Sequence, residues 1–432
     1  MVTIETLGCK LNQAECESLK IHLLRRGYSL TTAPEKADIY VLNTCTVTHI
    51  ADRKSRHRIR WVRRNNPRAL IAAVGCYAQR AGGDLLQAGA DLILDNTSKE
   101  DLPHLLGLEY ISPKSYPPSV FYDHSEGRTR AMVKIQSGCN DHCTFCIVPS
   151  VRGCENSVPV RHVIECVRAR IAEGHREVVL TGTKLGAYRS EDVGELPDLV
   201  NYILSETGVE RLRLSSLQPQ DLTPRLLKLW SDGRICNHLH LSLQSGNDQV
   251  LQQMRRRYST EEFANAVGMA RRIIPDLAIT TDVIVGFPGE DEEKFEDSYR
   301  FCESMAFANI HVFPYSPRPG TMAEKMPFHV NGGAKKERVE RMLALAQRSA
   351  QQFRTQFLGK TVEVLWEHEV QNGVWTGLTP NYLRVFARGD KAMDNHRSSV
   401  KLFSEQDGNL WGSCPRLLDI QHFSVSPPPL KK

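Results

Sequence analysis

The run Met132-Val133-Lys134-Ile135-Gln136-Ser137-Gly138-Cys139-Asn140-Asp141-His142-Cys143-Thr144-Phe145-Cys146 decides how the rest of the chain is read. A strand-like apolar stretch, Met132–Gln136, passes straight into three cysteines spaced C-x3-C-x2-C. Thiolates are soft ligands that suit iron–sulfur clusters or zinc. Three of them can hold three irons of a [4Fe–4S] cluster and leave the fourth open to oxygen and nitrogen donors. A closed zinc site, or a cluster with a remote fourth ligand, is the competing reading. Structural zinc wants four ligands, no fourth cysteine follows at ferredoxin-like spacing, and Cys154 lies beyond an Arg152-Gly153 turn.

Downstream of this motif, apolar runs alternate with helical stretches. The strand candidates are Met132–Gln136, Glu177–Leu180, Arg211–Ser215, His238–Leu243, Ala278–Val285 and Ala308–Phe313. One helix, Ser259–Ile274, opens with a capping-box pattern, Ser259 with Glu262 three residues on. Six βα units predict a partial barrel rather than the eight-fold form. Ala334 to Phe357 reads as a long amphipathic helix. Beyond it, Thr361–Trp366, Val374–Leu378 and Leu383–Ala387 are short strands joined by turn residues such as Asn372-Gly373, a small β-barrel pattern.

Upstream, apolar runs at Val2–Leu7, Ile39–Leu42, Leu70–Val74 and Leu92–Leu94 are separated by helical stretches at Asn12–Arg26 and His49–Arg64. Continuous apolar strands with helices between them predict a parallel sheet covered on both faces. The first three strands each run into a cysteine: Cys9, Cys45 and Cys76. Ligands of open parallel sheets sit beyond the carboxyl ends of the strands, so three cysteines distant in sequence can meet at one edge. The fold class is α/β, divided as 1–110 (parallel-sheet domain), 111–130 (linker rich in proline), 131–358 (partial barrel with its closing helix), 359–424 (small β-barrel) and 425–432 (tail).

The 432 residues are enough for about three domains. Hydrophobic residues at 41% and charged residues at 24% exclude a broadly disordered chain. No apolar run is long enough to span a bilayer, and the N-terminus lacks a secretory pattern; the expectation is a cytoplasmic protein that meets no membrane. Twelve cysteines in a reducing compartment point to metal ligation or catalysis rather than disulfides. The net charge of +5 is too small to specify a polyanionic partner. Local charge does: residues 53–68 hold eight Lys or Arg and no acid, with Trp61 among them. Such a helix can neutralise phosphates, and an aromatic among arginines can stack on an exposed base. Arg56, Arg60, Trp61 and Arg63 are the RNA-binding candidates; a solvated helix face is the plain alternative.

The three-cysteine motif, with Phe145 before its last cysteine, resembles the radical S-adenosylmethionine (SAM) enzymes. The resemblance narrows to their methylthiotransferases through Thr6-Leu7-Gly8-Cys9-Lys10-Leu11-Asn12-Gln13, Asn43-Thr44-Cys45-Thr46-Val47-Thr48, Val74-Gly75-Cys76-Tyr77-Ala78-Gln79, Leu241-Ser242-Leu243-Gln244-Ser245-Gly246 and Thr281–Glu290. It implies a (β/α)6 radical SAM core with a C-terminal OB-like TRAM module. It also implies two [4Fe–4S] clusters, one on Cys139, Cys143 and Cys146 and an auxiliary one on Cys9, Cys45 and Cys76. SAM would be bound at the barrel mouth by Gly182, Ser215, Gln244 and Arg257. By the same resemblance, one SAM supplies a 5′-deoxyadenosyl radical and a second the methyl group. One departure is visible: Val158 stands where the family usually has arginine.

The family has branches acting on isopentenylated adenosine in tRNA, on threonylcarbamoyladenosine in tRNA, and on an aspartate of a ribosomal protein. Leu7–Gln13, with Arg128-Thr129-Arg130-Ala131, looks most like the threonylcarbamoyladenosine branch. The expected partners are a tRNA carrying that nucleoside beside its anticodon, an electron donor and a sulfur donor.

Overall fold

The computed structural model describes residues 1–106, 129–371, 373–389 and 393–414. The expected linker lies outside these residues apart from its last two, and there Arg130 already belongs to the first barrel strand; the expected tail also lies outside them.

The N-terminal layer is a four-stranded parallel sheet in sequential order, β1 (Val2–Thr6), β2 (Ile39–Thr44), β3 (Leu70–Gly75) and β4 (Leu92–Leu94). Alternation of side chains explains the two-sided burial. Tyr40, Leu42, Ile71 and Ala73 enter one apolar cluster, while Val41, Ala72 and Val74 enter another on the opposite face. Helices α1 (Lys10–Leu24), α2 (His49–Asn65) and α3 (Cys76–Gln87) connect the strands. The expected helix at 12–26 begins two residues earlier, because Cys9 itself occupies the N-cap position.

The central layer is an open series of six parallel strands: β5 (Arg130–Lys134), β6 (Glu177–Thr181), β7 (Arg211–Leu214, resumed at Ser216–Leu217), β8 (His238–Gln244), β9 (Ala278–Val285) and β10 (Asn309–Pro314). This is the partial barrel expected from the sequence. Its outward side chains, among them Val178, Leu180, Leu212, Leu241 and Val283, form the main apolar core beneath the helices. Its inward ones are polar: Glu177, Arg211, Arg213, His238, His240, Thr280 and Asp282. The capping box on the helix Thr260–Ile273 is present in full. Helix Gly332–Thr355 lies two residues upstream of its expected position and packs along β10.

The C-terminal layer is a closed five-stranded barrel formed by Thr361–Gln371, Val374–Leu378, Arg384–Arg388, Arg397–Gln406 and Asn409–Ser413. Its core of Trp366, Val385, Val400 and Leu402 also receives Phe353 and Phe357 from the long helix. The hairpin loop of residues 379–382 closes the lower end of the central barrel. Arg211 and Arg213 donate to the carbonyls of Leu378 and Pro380, both at 3.0 Å, and the Tyr382 ring stacks on His238 at 4.7 Å.

Candidate active site

Cys139, Cys143 and Cys146 occupy one tight loop beyond the end of β5. Gly138 is required there: its φ is +75°, and a Cβ would lie 1.8 Å from the Cys154 carbonyl oxygen. The Asp141 amide donates to Cys139 Sγ (3.4 Å), Arg256 Nη1 donates to Cys143 Sγ (3.4 Å), and the Cys146 amide donates to the Cys143 carbonyl (3.0 Å). Phe145 anchors the loop by packing on Val250, Met254, Phe287 and Tyr315. Burial pushes the Cys146 thiol up to about 12 and raises that of Cys139. Such thiols ionise on binding a soft cation, which is the chemistry this donor set offers.

The second set is assembled by topology. Cys9 follows β1, Cys45 follows β2 and Cys76 follows β3, and the register pairs Thr6 with Asn43 and Thr44 with Gly75. The three cysteines therefore stand side by side at the carboxyl edge of the sheet. Gly8, at φ +107°, passes so close to Cys45 that a Cβ would lie 2.8 Å from its sulfur. Burial raises the Cys45 thiol to about 12, with the neighbouring Cys9 and Cys76 sulfurs adding to the rise. All six cysteines are free thiols, and each set of three fits the open [4Fe–4S] arrangement. Of the other six, Cys16, Cys236, Cys302 and Cys414 are buried, Cys166 is half-buried, and Cys154 is exposed.

The two sets are joined by one arginine. Arg152 ends the short helix Val148–Arg152 that follows Cys146, and its side chain is only 3% exposed. It donates to Asn12 Oδ1 (2.5 Å) and to both carboxylate oxygens of Glu15 (2.9 and 3.1 Å) on α1. Asn12 in turn accepts a weak contact from Cys9 Sγ at 3.7 Å. Cys76 packs on Val151 of the same short helix and on Ile147, which precedes it, and Asn96 donates to Cys76 Sγ (3.6 Å) and the Val151 carbonyl (2.6 Å). Burial opposes ionisation of Glu15, but Arg152, Lys99 and Lys134 overcome it and hold the carboxyl at about 2. A second tie is Arg318, buried, which pairs with Asp52 of α2 at 2.7 Å.

At the barrel mouth, Gly182 presses on Gln136; a Cβ there would meet the Gln136 carbonyl oxygen at 3.0 Å. Ser215 is buried, at the break in β7, and its hydroxyl has no partner among the described residues. Gln244 ends β8 at φ +70°. These three stand at the carboxyl ends of successive neighbouring strands, and the orphaned Ser215 hydroxyl suits a bound polar ligand. Arg257 differs: it is 65% exposed and pairs with Asp141 of the cysteine loop at 3.2 Å. Its neighbour Arg256 is the one that turns inward to Cys143 and the Ser242 carbonyl. Val158 packs against the barrel's apolar core, and its amide donates to the Ile135 carbonyl (2.8 Å).

The basic helix α2 divides its charges. Arg56 is held by the Tyr77 hydroxyl and Arg58 by Glu5, while the Arg58 guanidinium also lies over the Trp61 ring at 4.3 Å. Arg63 is spent on the fold: it donates to the carbonyls of Gly89, Pro67 and Ala69 and pairs with Asp91. Trp61 packs on the sheet. The exposed cations are Arg53, Lys54, Arg60, Arg64 and Arg68, with His57 between them. Only Arg60 of the four RNA-binding candidates is free on the surface.

Comparison with known proteins agrees with this geometry. Residues 1–95 match the model of the uncharacterized protein family UPF0004, and residues 133–302 match the radical SAM superfamily. The threonylcarbamoyladenosine tRNA methylthiotransferase MtaB of Bacillus subtilis is 36% identical, with 93% of each chain covered. The enzyme of the same name from Aquifex aeolicus is 37% identical, covering 90% of this chain and 97% of its own. The tRNA-2-methylthio-N(6)-dimethylallyladenosine synthase of Thermobifida fusca is 36% identical, covering 84% and 77%. The chain belongs to the radical SAM methylthiotransferases.

The cofactors of this methylthiotransferase are accordingly SAM and [4Fe–4S] clusters. Among solved structures, the radical SAM methyltransferase TsrM from Kitasatospora setae, with cobalamin and a [4Fe–4S] cluster bound, has the same fold over 75% of this chain and 76% of its own, at a TM-score of 0.54 and 12% identity.

The sequence does not single out Arg152, Glu15 or Arg256 as parts of the site. A signal for Glu15 is present: Asn12 and Glu15 are polar residues on the face of α1 that also carries Cys16, Leu19 and Leu23, all buried. Nothing in the run Arg255-Arg256-Arg257 distinguishes which arginine turns inward. The lumen row in which His240 Nε2 and His311 Nδ1 each contact Asp282 at 3.1 Å comes from three strands and has no local signature.

Proposed function

We propose that this methylthiotransferase acts on tRNA, in the cytoplasm, placing a methylthio group at C2 of N6-threonylcarbamoyladenosine beside the anticodon. The observation that carries the reading is the pair of three-cysteine sites locked together through Arg152: one reaction that needs both a radical source and a sulfur source has both in one body. Cys139, Cys143 and Cys146 hold the radical cluster, and Cys9, Cys45 and Cys76 hold the auxiliary one. The bound clusters and SAM supply a one-electron reduction that generates a radical and the sulfur that is transferred. The chain's own contribution is positional. Arg256 sets its guanidinium against the Cys143 sulfur, where charge develops on ligation. Gly182 makes room for Gln136 beneath the cysteine loop, and Ser215 and Gln244 present polar groups at the mouth. Arg152 and Glu15 fix the distance between the two halves.

The working domains are 1–110, 131–358 and 359–424. Arg53, Lys54, Arg60 and Arg64 of α2, with Arg68 in the turn that follows it, form the phosphate-facing stripe, a revision that returns Arg63 to the fold. An electron donor and a sulfur donor are the remaining partners. Two relatives bearing the threonylcarbamoyladenosine name match over 90% or more of this chain, which supports that nucleoside. The test is mass spectrometry of tRNA nucleosides from cells with and without the gene. Loss of 2-methylthio-threonylcarbamoyladenosine is expected. Loss of the dimethylallyl analogue instead, or of a protein modification with tRNA unchanged, overturns the substrate.

A further inference from the structure

The lower lumen of the barrel holds more positive than negative charge. Arg211 and Arg213 share Glu177, at 2.8 and 2.6 Å, and Arg130 pairs with Glu367 at 3.1 Å. Each guanidinium has further partners: Arg211 and Arg213 donate to the 379–382 hairpin and its approach, and Arg130 donates to the Tyr382 hydroxyl at 3.0 Å. Lys10 is different. Among the described residues its ammonium makes no hydrogen bond and no ion pair; it lies 5.8 Å from the centroid of the Tyr382 ring. Arg130 and Arg213 lie over the same ring at 5.5 and 4.7 Å, so three cations surround one phenol. The Tyr382 hydroxyl accepts from Arg130 and donates to no partner among the described residues. A half-buried ammonium beside two guanidiniums is costly unless an anion joins it.

Position says which anion. Lys10 is the first residue of α1 and directly follows Cys9, so it stands one peptide unit from a ligand of the sulfur-bearing cluster. A molecule anchored on Lys10 can therefore extend toward Cys9. In threonylcarbamoyladenosine, the N6 substituent and C2 flank N1 on one edge of the base, and that substituent ends in a carboxylate. A dimethylallyl group at N6 carries no charge.

We propose that Lys10, with the Tyr382 hydroxyl, binds the threonyl carboxylate of the substrate and so selects it against nucleosides with an apolar N6 group. This rests on the substrate reading above. The experiment uses the reconstituted full-length enzyme and two synthetic anticodon stem-loops, one carrying threonylcarbamoyladenosine and one its methyl ester. Iron content serves as the check that both clusters are loaded. The wild type is expected to lose about 10- to 100-fold in kcat/KM on going from acid to ester, the range for one charge-assisted contact. Lys10→Met should lose the same factor on the acid and show no further loss on the ester; Lys10→Arg should restore most of the preference. If the wild type treats acid and ester alike, or if Lys10→Met still prefers the acid by the full factor, the proposal is overturned while the substrate reading stands. If the wild type ignores both stem-loops and modifies a dimethylallyl one, the substrate reading falls first and this proposal with it.

Discussion

The two cysteine sets are built in opposite ways. Cys139, Cys143 and Cys146 sit in one loop, with Gly138 pressed on Cys154 and Phe145 half-buried as an anchor. Cys9, Cys45 and Cys76 are spread over 68 positions and meet only because three parallel strands end in register. A local site depends on a few backbone angles. A distributed site depends on the whole sheet, and its position relative to the barrel depends on Arg152, Arg318 and their carboxylates.

Replacing ligands gives the largest contrast. Cys143→Ala should abolish reductive cleavage of SAM, measured as 5′-deoxyadenosine; its continued formation removes the radical role from this loop. Cys45→Ala should keep that cleavage, lose methylthiolated product, and lower iron from about eight to about four per chain. Persistent product removes the sulfur role from the sheet edge.

The glycines should sort the same way. Gly8→Ala forces a Cβ to within 2.8 Å of the Cys45 sulfur and is expected to lower auxiliary iron alone. Gly138→Ala, against a backbone carbonyl at 1.8 Å, is expected to lower radical-cluster iron alone. Equal losses at both sites in either variant would show that the two are coupled in assembly.

Glu15→Gln tests the joint between them. It leaves Arg152 and Lys99 buried without their counter-charge, a loss of about 3 kcal/mol, read as a lower urea midpoint at pH 7. The sign with pH follows from a carboxyl held at about 2 instead of 4.5. Its contribution is complete above about pH 4.5 and disappears as the pH falls toward 2, so the gap between wild type and variant should close over that window. A gap that widens with acid contradicts the ion pair.

The smallest effects belong to α2. Alanine at Arg53, Arg60 or Arg64 should weaken tRNA binding and reduce the salt slope by about 0.7–0.9 for each phosphate left without its cation. Arg63→Ala should instead lower thermal stability with the slope unchanged. The reverse pattern would restore Arg63 to the RNA surface.

Much of this was legible in the chain. The three-layer α/β architecture followed from apolar runs, because strands buried on both faces leave continuous apolar stretches such as Ile71–Val74. The meeting of Cys9, Cys45 and Cys76 at one sheet edge was legible because parallel strands that each run into a cysteine bring those cysteines together. What was hidden involved orientation. Arg56 and Arg63 read as free cations, yet Tyr77 and the Gly89 carbonyl, which capture them, come from another helix and the turn after it. The choice of Arg256 over Arg257 rests on how the chain leaves a short helix at Met254, and Lys10 is set apart by Tyr382, a neighbour 372 residues away in sequence.

Helix Lys10–Leu24 lies against the exposed flank of β5, where Glu17 approaches the Met132 amide at 3.4 Å. That flank is where an incomplete barrel would otherwise admit water. The N-terminal sheet domain is thus also the cover over the open side of the barrel. A chain shorn of it would keep a cysteine loop able to take metal, but its turnover would be quenched by solvent instead of delivered to a base.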